Sequence, residues 1–538
     1  MNAPQALPPD CSAARFAQAL RSFAAVLGDD AVLSAPSGLA AYLDPYSPLP
    51  DDDPDAFAPA AVLLPGSVTQ VQAVLRLASA AGLPLWPVSI GRNLAYGGPA
   101  PRLRGTLVLD LRRMNRILEV NPTLAYALVE PGVSYFDLHA YLHREGIALW
   151  VDPPAVGWGS VVGNTLERGI GVTPYGDHAA MQCGMEVVLA SGDIVRTGMG
   201  ALAGGSAWQL HRDGYGPGLD GLFMQSNFGI VTKMGIWLMP APETALLCQA
   251  SFAREADLEA VVETLRPLRL ADVLHGPAVI ESAVRWAASV SARRDWHDGA
   301  GPMPVAALDH MIRALDIGWW NLRFGLYGPP ALVQARWRIA RKAFGAIDGA
   351  RLTAWPYSAA SVASVASAPP GGGAVGLLGV PSVAAMRMLS WCGGDGAHLD
   401  VSPLCPATGT HAMRQYRLVR ERAAAYGFDY YGGFTAAPRC LHHIFAAIFD
   451  RADPVQRSQA RALAHRLVDE LGAAGYGLYR AHLDLMDRVA AQQDFNGHAM
   501  QALVQRLKDA LDPAGMLAPG KQGIWPAGHP STPACGTD

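Results

Sequence analysis

The placement of glycine constrains this chain more than any other feature. The stretch GWGSVVGNTLERGIGVTPYGDH, residues 157–178, holds six glycines in 22 residues. That density would weaken a plain helix or strand, because glycine loses the most backbone freedom on ordering. It suits backbone that wraps closely around a flat, phosphate-bearing ligand; an irregular loop is the bland alternative. A second run, PVSIGRNLAYGG at 87–98, follows a short apolar segment. There the backbone N–H groups could approach a phosphate, or the glycines could simply close a turn. The run is no Walker loop, since G-x-x-x-x-G-K-[ST] is absent. Nor is it G-x-G-x-x-G opening a helix, so a Rossmann fold is a poor description.

Around these loops short strands mix with short helices, which predicts an α+β domain. Strands are expected at 61–64, 85–89, 106–110 and 127–130, with strand-like patches at 185–190 and 230–238. Ser67 reads as the N-cap of a helix that Gly82 ends. Past 240–242 the spacing turns helical, at 257–265, 333–344, 411–425 and 454–474, interrupted by the low-complexity stretch 359–376. With 538 residues, half of them hydrophobic, the chain can build two or more domains. Its 42 basic and 46 acidic residues argue against a general nucleic-acid binder or a basic membrane-surface protein. Seven cysteines without a C-x-x-C pair support neither a disulfide framework nor a zinc ribbon. The start, MNAPQALPPDC, lacks a basic region followed by an apolar core, and no apolar run of about 18 residues follows. The expectation is a soluble, cytoplasmic protein with no nucleic-acid or membrane partner.

Two further segments could carry chemistry. In GGDGAHLDVS, His398 and Asp400 are two apart and would share one face of a strand. A metal would need more ligands at workable spacing, so none is expected, and a structural histidine is the simpler reading. In GLYRAHLDLMD, Tyr479 and Arg480 are adjacent. Such a pair could bind a phenolate, one donating a hydrogen bond and the other supplying a fixed charge, or could be surface polarity. No G-x-S-x-G or H-E-x-x-H nucleophile or zinc motif occurs.

Six blocks occur in order: IGRNLAYGG, VVGNTLERGIGVTPYGDH, CGMEVVLASGDIVRTGMGAL, DGLFMQSNFGIVTKMGIWLMP, GLYRAHLDLMD and DPAGMLAPGKQGIWP. Together, from about residue 42 to 526, the chain resembles the 4-phenol oxidising flavoproteins, the vanillyl-alcohol oxidase, eugenol oxidase and p-cresol methylhydroxylase family. The resemblance implies an α+β fold with a two-subdomain FAD-binding domain of the vanillyl-alcohol oxidase (PCMH) type under an α+β cap. An N-terminal segment would cover 1–54, the FAD domain 55–240 and the cap 241–499, and 500–538 would return to the FAD domain.

By the same resemblance, Ser89, Ile90, Gly91, Arg92, Asn93 and Leu94 match the pyrophosphate loop. Pro154, Gly159, Ser160, Gly163, Asn164, Gly169, Gly171, Tyr175, Gly176, Gly229, Ile230, Val231, Arg480 and Lys521 match backbone and side chains around the FAD. Tyr96, Tyr479 and Arg480 match the groups that hold the substrate as a phenolate. His398 matches the histidine that attaches covalently to the flavin. The p-cresol branch uses instead a tyrosine eight positions upstream, here Ser390. Ser47 stands where vanillyl-alcohol oxidase has a histidine that assists attachment.

Acids that relatives place in the pocket align with Ala155 and Gly433, so both are missing. Asp400 replaces an aromatic and is assigned the acidic, water-activating role; pocket shaping or pairing with Arg480 is the alternative. Val172, Tyr430 and His442 complete the expected substrate pocket. The implied activity is oxidation of para-substituted phenols by hydride transfer to FAD through a quinone methide. Pro154 favours O2 as acceptor, giving H2O2, and a cytochrome-linked dehydrogenase is the alternative. The long insertion associated with octamers is missing after GMGAL, which implies a homodimer. A flavin-storage protein, or a lactate- or sugar-oxidising relative, would not need Tyr96, Tyr479 and Arg480 together.

Overall fold

The computed structural model describes residues 6–44, 46, 53, 55–358 and 374–529. Ser47, Cys535 and most of the low-complexity stretch 359–376 lie outside them.

Helix and strand signals in the first third take the positions their residues dictate. Ser67 accepts a hydrogen bond from Gln70 N, and Gly82 closes the helix Val68–Ala81 at φ 63°. A left-handed residue there is one that glycine adopts without Cβ strain. The helix presents Val71, Val74, Leu75 and Ala78 to a four-stranded sheet. The sheet runs Val32–Leu33, Val62–Leu63, Leu107–Asp110, Leu85–Val88, and its last three strands are parallel. The short apolar runs read from the sequence are thus buried parallel strands. A five-stranded antiparallel sheet follows, in the order Ile117–Asn121, Tyr126–Val129, Ile230–Trp237, Gln182–Val188, Ile194–Arg196. The 185–190 patch therefore begins three residues earlier, at Gln182.

The remaining large element is an eight-stranded antiparallel sheet spanning Thr244–Phe252 to Cys440–Asp450. Helices Asp257–Leu270, Pro330–Phe344, Gly409–Ala425 and Pro454–Ala473 contribute to the core on one face. The first continues past the expected end at 265, with Pro267 inside it. The sheet's other face looks onto the glycine-rich loops. Strand alternation sets which side chains go where. Ile280, Leu322, Phe324, Phe434 and Phe445 enter the core, while Val279, Glu281, Arg323, Tyr431, Thr435 and Ile444 face the loops.

The chain then returns to the first sheet. Leu85 N donates to Met516 O at 2.8 Å, and Ala518 N donates to Leu85 O at 2.7 Å. The buried Lys508 ammonium ties this return, donating to Asp512 Oδ2 (2.7 Å), Leu517 O (2.7 Å) and Asn227 O (3.1 Å). No helix among the described residues is long and apolar enough to cross a membrane.

Candidate active site

A cleft of about 410 Å³ lies between the loops and the exposed face of the eight-stranded sheet. Volumes of this order suit organic ligands. The structure brings to it, from the expected residues, Ser89 to Leu94, Tyr96, Pro154, Ala155, Gly159, Ser160, Gly163, Asn164, Gly171, Val172, His398, Asp400, Tyr479, Arg480 and Lys521.

The loop after strand Leu85–Val88 behaves as an anion cradle. None of the six backbone N–H groups of Ser89–Leu94 finds an acceptor among the described residues. These residues are half-buried, with Arg92 exposed, and a run of amides without protein acceptors in a turn suits a phosphate. Gly91 holds φ 68°, and a Cβ there would sit 2.7 Å from Pro99 Cβ. At Gly163 a Cβ would approach Ser89 Oγ to 2.9 Å, so the two glycine-rich segments close on one another. Lys521 pairs with Glu167 at the cleft wall. Burial alone would raise the Glu167 carboxyl, but Lys521 and Arg480 outweigh it and hold the pKa below the ordinary value. Unpaired amides, glycine walls and nearby cations are what a dinucleotide with a pyrophosphate requires, so the residues present fit FAD.

Tyr96, Tyr479 and Arg480 converge although 383 positions separate the first two in the chain. Arg480 Cζ lies 4.2 Å from the centroid of the Tyr96 ring, and its Nη2 donates to Asn93 Oδ1 at 2.6 Å. Tyr96 Oη is 3.0 Å from Ser402 Oγ. Tyr479 is held through its backbone, where its N–H donates to Ser402 O (3.3 Å) and its carbonyl accepts from Gln225 Nε2 (2.8 Å). Burial, then the neighbouring tyrosine and Asp400, push the Tyr96 hydroxyl far above its ordinary pKa; burial likewise raises Tyr479. Both phenols therefore keep their protons at neutral pH and act as donors. Burial pulls Arg480 down, but Tyr96, Tyr479 and Glu167 more than restore its charge. Two phenol hydroxyls and a desolvated guanidinium on the wall of one cleft favour a small anion there.

His398 and Asp400 share a strand face, as their spacing predicts. His398 Nδ1 lies 2.9 Å from Asp400 Oδ1, so the partner of Asp400 is His398, whereas pairing with Arg480 was the alternative read from the sequence.

Nine expected residues do not line this cleft. Gly169 backs onto the amide of Asn164, where a Cβ would come within 1.9 Å of Oδ1. Gly176 accepts from Gly171 N at 2.8 Å, and Tyr175 packs beside the Tyr327 and Leu377 cluster. Ile230 and Val231 begin the sheet strand that Gly229 precedes, and both enter hydrophobic cores. Tyr430, just before the strand Tyr431–Ala436, packs into the core with its hydroxyl 2.7 Å from His443 Nε2, and its neighbour Tyr431 faces the cleft instead. His442 backs Tyr479, ring centroids 5.0 Å apart. Gly433 pairs with Glu281, and a Cβ there would meet Ile280 O at 2.2 Å, so this backbone has no room for the acid found in relatives.

Sequence reasoning missed Glu281, Arg285, Arg323 and Tyr431, all on the cleft wall. The polar residue in the apolar run AVIES was the only local signal for Glu281. Nothing local marks the two arginines.

Comparison with known proteins shows the family and the fold. Residues 59–198 match the FAD binding domain family, and 384–522 match the C-terminal domain of FAD linked oxidases. The chain is 36% identical over 522 residues to the 4-cresol dehydrogenase [hydroxylating] flavoprotein subunit of Pseudomonas putida, covering 96% of this chain and 97% of that one. It is 33% identical to 1'-carboxy-chondrochloren decarboxylase of Chondromyces crocatus, over 87% of this chain and 91% of the relative. Among solved structures, 4-ethylphenol oxidase from Gulosibacter chungangensis in its isoeugenol complex superposes with a TM-score of 0.91 at 39% identity, covering 97% of this chain and 99% of that one. p-Cresol methylhydroxylase with substrate bound gives 0.91 at 36% identity, with the same coverage.

Proposed function

The chain belongs to the FAD-linked oxidoreductases of the p-cresol methylhydroxylase and vanillyl-alcohol oxidase family, and from that premise we propose that it oxidises para-substituted phenols: 4-alkylphenols, 4-hydroxybenzyl alcohols and eugenol-like compounds. The convergence of Tyr96, Tyr479 and Arg480 carries this reading. A phenol that ionises near pH 10 in water must lose its proton before electrons can be pushed to the para position. Arg480 supplies the compensating charge, and the two tyrosine hydroxyls, kept protonated by burial, donate to the phenolate oxygen. Bound FAD would supply the hydride acceptor, taking the para-benzylic hydride and leaving a quinone methide. Asn93 fixes the guanidinium from behind, so the charge need not reorganise as the phenolate forms. Ser89–Leu94, Ser160, Gly163, Asn164 and Lys521 would hold the cofactor.

His398 is the group we assign to covalent attachment of FAD. Asp400, its neighbour at 2.9 Å, acts as the general base that draws a proton from water attacking the quinone methide. Val172, and the lack of an acid at Ala155, leave room for longer para substituents. We further propose O2 as electron acceptor, with Pro154 on the cleft wall, and a homodimer as the working assembly. The cytochrome-linked alternative draws on the 4-cresol dehydrogenase relative.

One experiment separates these readings. The purified yellow protein is mixed with 4-ethylphenol or eugenol without oxygen, and air is then admitted. Bleaching followed by rapid recovery supports the oxidase. Bleaching that persists in air points to a cytochrome-type acceptor. No bleaching with any para-substituted phenol refutes the phenol site itself.

A further inference from the structure

The face of the eight-stranded sheet that looks onto the cleft carries a group of charges that phenolate binding does not use. The Glu281 carboxylate is shared: Arg323 Nη2 pairs with one oxygen, and Arg285 Nε lies 3.2 Å from the other. Arg285 has 18% of its side chain exposed; its Nε is paired with Glu281, while neither Nη atom has a hydrogen-bond acceptor among the described residues. Its other contact is the Tyr431 ring, 5.9 Å from Cζ. Asp400, the second acid on this wall, is engaged by His398. The Nη donors of a largely desolvated guanidinium on a cleft wall are costly to leave without an acceptor. Its planar fork matches a carboxylate in two parallel hydrogen bonds, which a neutral alkyl chain cannot offer. Tyr96, Arg480, Asp400 and Arg285 line the same cleft, and Asp400 interacts electrostatically with Tyr96 and with Arg285 alike. A ring anchored at Tyr96 and Arg480 can thus extend a side chain along the wall toward Arg285.

We propose that Arg285 binds a carboxylate at the end of the substrate's para substituent, so that this chain takes 4-hydroxyaryl carboxylic acids in preference to neutral 4-alkylphenols of equal length. The proposal rests on the phenol-oxidising reading above. Arg323 keeps Glu281 neutralised while Arg285 engages the ligand, which makes Arg285 the specificity-determining residue of the pair.

The test uses the holoenzyme and anaerobic stopped-flow bleaching of the flavin. Apparent Kd values are measured for 3-(4-hydroxyphenyl)propanoate and 4-(4-hydroxyphenyl)butanoate against 4-propylphenol and 4-butylphenol. In wild type the acids bind more tightly than their neutral counterparts. In Arg285→Met the ratio of acid to neutral affinity falls by about 10- to 100-fold, the loss expected for a charge-assisted pair, and Arg285→Lys recovers part of it. Arg285→Gln serves as a polar, uncharged check should the methionine variant fail to retain flavin. A ratio unchanged within about twofold in these variants, or wild type that is bleached by the neutral phenols and not by the acids, overturns the proposal alone. Failure of all four phenols to bleach the flavin overturns the functional reading, and this inference with it.

Discussion

Replacing Arg480 with leucine removes the one guanidinium that the structure stacks against a phenol-binding tyrosine, 4.2 Å from the Tyr96 ring centroid. A phenolate oxygen about 4 Å from that charge gains about 4 kcal/mol at an effective dielectric of about 20. That is roughly three units of phenol pKa, enough to bring ionisation from near pH 10 to near pH 7. The Tyr96 and Tyr479 donors remain in the variant, so the expected loss at pH 7 is about 10²- to 10³-fold in the rate of flavin bleaching by 4-ethylphenol. The sign with pH follows from the requirement for an ionised substrate. In Arg480→Leu the rate rises about tenfold per pH unit between about pH 7 and 9, because only the deprotonated fraction reacts. In wild type, with ionisation near pH 7, the rate levels off above about pH 8. Glu167 keeps its Lys521 partner, so an orphaned acid does not explain the effect, and Arg480→Lys should retain much of the rate. Anaerobic stopped-flow absorbance across pH 6.5–9.5 is the assay. A fall of less than about fivefold, or a variant whose profile stays flat, would refute the phenolate argument.

Other expectations follow from the same geometry. Asp400→Asn should slow water addition, seen as a shift from hydroxylated toward desaturated product, far more than it slows flavin bleaching; equal effects on both would remove the base assignment. Denatured wild-type protein should keep flavin fluorescence on a gel, and His398→Ala should release all of it into acid supernatant; flavin that is freely extractable from wild type contradicts the covalent link. Lys508→Met leaves the Asp512 carboxylate buried with no cation, since both side chains are fully enclosed, and should cost about 3–5 kcal/mol in urea unfolding of the FAD-binding region. Replacing both partners by apolar residues should recover much of that loss, and a single variant as stable as wild type would show that the ion pair does not hold the C-terminal return.

Local chemistry was legible in the sequence wherever it is dictated by a few neighbouring residues. Ser67 and Gly82 bracket a helix because a cap and a left-handed terminus are local requirements. Ser89–Leu94 reads as a cradle because a glycine there frees consecutive backbone amides. His398 and Asp400 share a face because strand side chains alternate, and six ordered blocks identify the family. Other features depended on distant contacts. Tyr430 and Tyr431 are indistinguishable along the chain, and only the pairing of that strand with its neighbours decides that one enters the core and the other the cleft. Gly433 reads as a missing acid, yet the Ile280 carbonyl occupies the place a side chain would take. Glu281, Arg285 and Arg323 form one charged group only because two paired strands and the short helix Ala283–Ala287, which follows the first of them, bring them to the same wall. The sequence by itself determined the backbone conformations and the family; the tertiary structure decided which polar groups share a solvent-poor space, and charge interactions have their effect there.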